Sequence, residues 1–170
     1  MSDNNFEEKF TAAYDKMMER IHHFFDDAEK NAVPTLKQRI ELAKLRAIEL
    51  REITAEEADK IAYYVERDLQ DAANYLETTG KEFSTWFNFD LQLVEDRLYE
   101  LFASVADRTR LELGQLANQA QMAQQYHTGE ITGIGSLVCD SCGSEMHFKK
   151  TGRIPPCPKC HHTEFKRHSK

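Results

Sequence analysis

The sequence predicts a mainly α protein: a long-helix bundle or coiled-coil body followed by a small C-terminal β module. Three observations carry that expectation. Apolar residues recur at spacings of three and four through the first 126 residues. Three glycines then interrupt the pattern within "YHTGEITGIG", and all four cysteines of the 170-residue chain lie beyond them, in "CDSCGSEMHFKKTGRIPPCPKC". The divisions that follow are an acidic helical region at 1–126, a glycine-containing hinge at 127–135 and a cysteine module at 136–170.

The helices follow in order. Phe6, Phe10, Tyr14, Met17, Ile21, Phe24 and Ala28 fall on one face of a first helix, which is expected to end near Asn31 because Pro34 cannot continue it. Leu36, Ile40, Ala43, Ala47 and Leu50 form a second stripe that stops near Ile53. "TAEE" then offers Thr54 as an N-cap with Glu57 three residues on, a capping box that satisfies two otherwise orphaned amides. A third helix carries Ala58, Ile61, Val65, Leu69, Ala72 and Leu76 inward, and Gly80 suits its C-terminal cap. From Lys81, the stripe Phe87, Leu91, Val94, Leu98, Leu101, Val105 continues more loosely through Leu113, Leu116, Ala120 and Ala123. A single helix to about Gln125 would span some 45 residues, roughly 67 Å, and would leave a protruding end. Stripes of this kind with charged flanks pair readily, so a homo-oligomer or a protein partner held through the helices is expected.

Composition narrows the class. Charged residues make up 30% of the chain and apolar ones 41%, and no apolar run approaches the roughly 18 residues that would cross a bilayer. The N-terminus "MSDNNFEEKF" has neither the basic nor the apolar region of a signal peptide, so no membrane association and a cytoplasmic location are expected. The net charge of -7 is uneven, with 15 Lys+Arg against 25 Asp+Glu in residues 1–126 and 7 against 4 in residues 127–170. An acidic body repels nucleic acid. The basic tail, with Lys149, Lys150, Arg153, Lys159, Lys166, Arg167 and Lys170 beside His147 and His168, leaves nucleic-acid binding as the alternative function.

The cysteines are spaced Cys139-x2-Cys142-x14-Cys157-x2-Cys160. Two residues between thiols let each pair fold into a knuckle whose sulfurs converge on one ion, and the longer insert supplies a hairpin that brings the knuckles together. Four sulfurs at tetrahedral corners suit one Zn2+, so Cys139, Cys142, Cys157 and Cys160 are the expected metal ligands of a four-cysteine zinc ribbon. Gly143 follows the first knuckle, where a left-handed backbone is wanted. Met146, Phe148, Ile154 and Phe165 are expected to form a core beneath the ion that is too small to fold without it.

Other chemistries fit less well. A redox dithiol lacks the alternating strand and helix frame. Iron remains the rival, since "CDSCG" and "CPKC" also resemble rubredoxin knuckles, and helices before such a tail suggest a rubrerythrin. A di-iron bundle needs Glu-x-x-His twice, however, and only Glu19 and His22 supply it, which places His22 and His23 on or near a helix surface. His161 or His162 as a substitute ligand is disfavoured because four thiolates already saturate the ion. No phosphate loop, metalloprotease helix or nucleophile elbow is present, and Ser141 and Ser144 beside the thiols suit knuckle hydrogen bonds better than attack on a substrate. No catalytic residue, enzyme activity or small-molecule substrate is therefore expected.

With "YHTGE" before the module, "CDSCG" and "IPPCPKC" in its knuckles and "TEFKR" after it, the chain resembles the YbeL-like family of bacterial zinc-ribbon-containing proteins. The resemblance implies a helical body and a zinc site at Cys139, Cys142, Cys157 and Cys160, and no activity. His161 departs from the family's pattern, standing where a glycine is common. It is expected to adopt the left-handed conformation with some strain, histidine being among the more tolerant residue types.

Overall fold

A computed structural model describes residues 2–26, 35–79, 95–119 and 125–168. The expected helical body and small C-terminal β region are both present. Among the described residues four helices, α1 (Ser2–Asp26), α2 (Leu36–Glu49), α3 (Ala55–Thr79) and α4 (Asp96–Gln119), precede six short strands: β1 (Tyr126–His127), β2 (Ile131–Thr132), β3 (Gly135–Cys139), β4 (Glu145–Phe148), β5 (Gly152–Arg153) and β6 (Glu164–Arg167). The apolar stripes point where their periods say they should. Tyr14, Met17 and Ile21 of α1, Leu36 and Ala43 of α2, Ile61, Val65 and Leu69 of α3, and Val105 of α4 are buried in one core. Each large aliphatic side chain taken from water there contributes roughly 1.5–3 kcal/mol.

Local signals set the joints between helices. The Thr54 capping box forms as expected, with the Glu57 amide donating to the Thr54 hydroxyl at 3.2 Å and the Thr54 amide to the Glu57 carboxylate at 2.9 Å. A second box, Thr35 with Gln38, starts α2. At the other end of α2, Arg51 takes a left-handed φ of 57°, its amide reaches Ile48 O, and the Glu52 amide reaches Ala47 O. That is a Schellman turn, and it swings the chain so that Ile53 is buried and Leu50, expected in the core, is left exposed. Glu52 then takes both guanidinium nitrogens of Arg20 at 2.9 Å, tying the turn to α1.

The expected helix from Lys81 to Gln125 is corrected at its one described junction. Glu95 is not helical, its amide donates to Lys149 O at 3.3 Å, and its carbonyl starts α4 by accepting from the Tyr99 amide. A carbonyl partner outside the helix draws the backbone away from a continuous rod. Asn31, Gly80, the stretch 81–94, Ala120 and Ala123 lie outside the described residues.

The strands form an antiparallel sheet ordered β1-β6-β3-β4 and a separate pair β2-β5. Segment 127–135, expected as a hinge, contributes strand residues to both, and its Ile131 and Ile134 are buried among the helices. Two of its glycines serve local needs. Gly129 and Gly135 have positive φ. Gly133 instead allows a close approach, since a Cβ there would lie 2.6 Å from the Tyr14 hydroxyl. The β2–β5 pair thus packs directly on α1, and β2 on α3 as well.

Candidate metal centre

The two knuckles are built alike. In the first, the Cys139 amide donates to Ser144 O at 2.9 Å and the Gly143 amide to Cys139 O at 3.0 Å. In the second, the Cys157 amide donates to His162 O and the His161 amide to Cys157 O, both at 2.9 Å. The fifth residue of each turn is left-handed, with φ 72° at Gly143 and 61° at His161. Histidine therefore adopts the conformation anticipated for it. The hairpin β3–β4 carries Cys139 and ends beside Cys142, while β6 runs back from the second knuckle with Phe165 opposite Cys139.

These turns bring the four sulfurs to within 4.8 Å of one another. Cys139 Sγ lies 3.5 Å from Cys160 Sγ, and Cys142 Sγ 3.6 Å from Cys157 Sγ. A tetrahedral ion with metal–sulfur bonds of about 2.3 Å sets its sulfurs about 3.8 Å apart, close to these separations. A disulfide would need about 2.05 Å, and all four thiols are free. The residues fit a four-coordinate ion. Electrostatics prepare it unevenly: the Cys160 and Lys159 amides donate to the Cys157 sulfur and draw its thiol below the ordinary range. Cys142, although lowered by the Ser144 amide, is pushed up by desolvation and by the other three thiols. A bound divalent cation would hold all four as thiolates.

Beneath the site lie Leu137, Met146, Ile154 and Phe165, with Phe148 half-buried beside them. Tyr126 and Leu137 are core members that the sequence pattern did not single out. His22 is half-buried and His23 exposed, and among the described residues the four cysteines are the one cluster able to hold a metal. The expected basic face loses Arg167, which is buried, while the Arg153 guanidinium sits over the Phe6 ring at 5.7 Å. Lys149, Lys150, Lys159 and Lys166 remain exposed, and Lys170 lies outside the described residues.

Sequence reasoning also missed a polar cluster where the sheet meets α3. Asp68, fully buried, accepts from the Tyr14 hydroxyl at 2.6 Å and the Gly133 amide at 2.8 Å, and pairs with Arg67 at 3.2 Å and Arg167 at 3.3 Å. One turn on, Asp71 accepts from the Tyr126 hydroxyl and lies 3.6 Å from Arg167. Burial pushes Asp71 up to about 6 even though Arg167 and Tyr126 oppose the shift. The Tyr126 ring lies between two guanidinium groups, with Arg67 3.9 Å and Arg167 4.7 Å from its centroid. A signal was available: Asp68 stands seven residues after Ile61 and three after Val65, on the apolar stripe itself.

Comparison with known proteins agrees with the geometry. A family model described as a zinc-ribbon containing domain matches residues 23–169. The chain is 30% identical over 139 residues to the uncharacterized protein YbeL of Escherichia coli K12, covering 81% of this chain and 85% of the relative. The same figures hold for YbeL of Escherichia coli O157:H7. No solved structure matches.

Proposed function

The chain belongs to the zinc-ribbon containing domain family, and on that premise we propose that it is a non-enzymatic scaffold. One Zn2+ held by Cys139, Cys142, Cys157 and Cys160 folds its ribbon, and its helical body docks a protein partner, a second copy of the chain. The observation that carries the zinc assignment is the closed thiolate set. Sulfur fills all four corners, so no position is left for a reacting water, and soft ligands in tetrahedral array favour zinc over harder divalent ions.

The docking surface is supported by α2. Leu42 and Leu45 are 45% and 52% exposed and line a groove of about 400 Å³ with Phe24, His23 and Arg20. Set antiparallel to itself about the midpoint of residues 42 and 45, α2 places Leu42 against Leu45 of the second copy. The same register sets Glu41 opposite Arg46. Self-complementary apolar and charged positions of this kind are what an isologous contact requires.

Elemental analysis combined with light scattering tests both halves. One zinc per chain and a dimer are expected. Leu42→Glu with Leu45→Glu should give a monomer, Glu41→Arg alone should weaken the dimer, and adding Arg46→Glu should restore it. Iron in place of zinc would overturn the metal assignment. A wild-type monomer at tens of micromolar, or a dimer indifferent to these changes, would overturn the docking assignment.

A further inference from the structure

Two buried carboxylates of the helical body share a cation that the ribbon supplies. Asp68 and Asp71 project from α3, and among the described residues the cation that faces both, apart from the adjacent Arg67, is Arg167 of β6. Its terminal nitrogen also donates to the Tyr126 hydroxyl at 3.0 Å and to Thr132 Oγ1 at 3.2 Å, so three separate stretches of the ribbon converge on α3. A buried pair deprived of one partner leaves an uncompensated charge in a medium that cannot solvate it, which is far more damaging than never having had the pair.

The position of Arg167 depends in turn on the knuckles. Leu137 of β3 is in register with Arg167, and two residues further on Cys139 is in register with Phe165. The Asp140 amide donates to Glu164 O at 3.1 Å, and the Cys157 amide to His162 O at 2.9 Å, so both knuckles anchor the start of β6. The apolar core beneath them is Tyr126, Leu137, Met146, Ile154 and Phe165, together with the ligands Cys139 and Cys157 themselves. A module of that size draws its folding free energy from the metal, which makes β6 a two-state element biased by occupancy.

We propose that metal occupancy and closure of the helical body are one coupled equilibrium, with Arg167 as the positioning residue that joins them. When the ion leaves, β6 loosens, Arg167 withdraws, and α3 is left with Asp71 uncompensated and Asp68 held by Arg67 alone. The body then opens along the seam that Tyr14, Asp68 and Gly133 hold shut. The protein therefore reads out its metal state as a change in its helices. Coupling is reciprocal, so loss of the Arg167 contact weakens metal retention although Arg167 touches no ligand. The inference rests on the metal assignment above.

Hydrogen exchange on the full metal-loaded chain, before and after extraction by a chelator, tests this without any substitution. Amides of α3 around Asp68 and Asp71 should lose at least tenfold protection on extraction. Competition with a chromogenic zinc chelator then supplies the reciprocal arm. Arg167→Met should release zinc at least tenfold more readily, Asp71→Asn in that background should recover part of the loss, and Lys166→Met, an exposed neighbour on the same strand, should behave as wild type. If zinc is bound but α3 protection changes by less than twofold on its removal, the coupling is overturned and the metal assignment stands. If the purified protein holds no metal, both fall. Should Arg167→Met fail to fold even with excess zinc, the wild-type exchange result decides alone.

Discussion

Gly133→Ala probes the seam between ribbon and helices with a single methyl group. A Cβ at this position would lie 2.6 Å from the Tyr14 hydroxyl, 3.2 Å from Cζ and 3.3 Å from Cε1. Ordinary contact is about 3.5–4.0 Å, so the phenol must retreat by about 1 Å. Tyr14 is buried and its hydroxyl donates to Asp68 at 2.6 Å, a bond to a charged acceptor worth roughly 1.5–3 kcal/mol. Overpacking adds roughly 1–3 kcal/mol, so the substitution should destabilise by about 3–5 kcal/mol. Tyr14→Phe alone removes the hydrogen bond and should destabilise by about 1.5–3 kcal/mol, since Asp68 keeps its Gly133 amide and its arginines. In that background the methyl group meets only ring carbons at 3.2 and 3.3 Å, and adding Gly133→Ala should destabilise by about 1 kcal/mol. The two changes are thus expected to be non-additive by about 2–4 kcal/mol, measured from denaturant midpoints of the four metal-loaded proteins. Additivity to within about 0.5 kcal/mol would refute the contact between Gly133 and the Tyr14 hydroxyl as the source of strain.

Two further changes address charge and backbone. Burial pushes Asp15, which accepts from the Thr151 hydroxyl, up to about 6. An unfolded aspartate titrates near 3.9, so between these values the native state binds a proton that the unfolded state lacks. The stability this contributes is present below about pH 4 and is lost as pH rises through 6. Asp15→Asn should therefore raise stability by about 1–2 kcal/mol at pH 7.5 and change it little at pH 4, by thermal melts at the two values; an equal effect at both would contradict the assignment. His161→Gly should relieve about 1 kcal/mol of left-handed strain and raise Tm by about 2–4 °C. Gly143→Ala should lose a similar amount, and because its Cβ would meet nothing within 4 Å, any larger loss would point to something other than the backbone.

What the sequence made legible was local. The candidate metal ligands follow from two Cys-x2-Cys pairs because a knuckle is five or six residues of backbone whose hydrogen bonds close on themselves, and the same economy made the left-handed His161 and the Thr54 capping box readable. The ribbon's relation to the body was not legible, because it rests on pairs more than fifty residues apart, such as Tyr126 with neighbours on α3 and Arg167 with Asp68. Composition misleads at those positions. Arg167 reads as one more cation of a basic tail and Asp68 as one more acid of an acidic body, yet each removes the other from the surface. The glycines of 127–135 misled likewise, since the same residue type that frees a hinge also permits the close approach of Gly133 to Tyr14. A charged residue falling on an apolar stripe is the pattern that separates the two cases. Asp68 lies in register with Ile61, Val65 and Ala72, and a buried carboxylate there demands compensating cations. Arg67 beside it supplies one and Arg167 of the basic tail the other, so the surplus of acid in the helices and of base in the ribbon is in part a docking signal between two parts of one molecule.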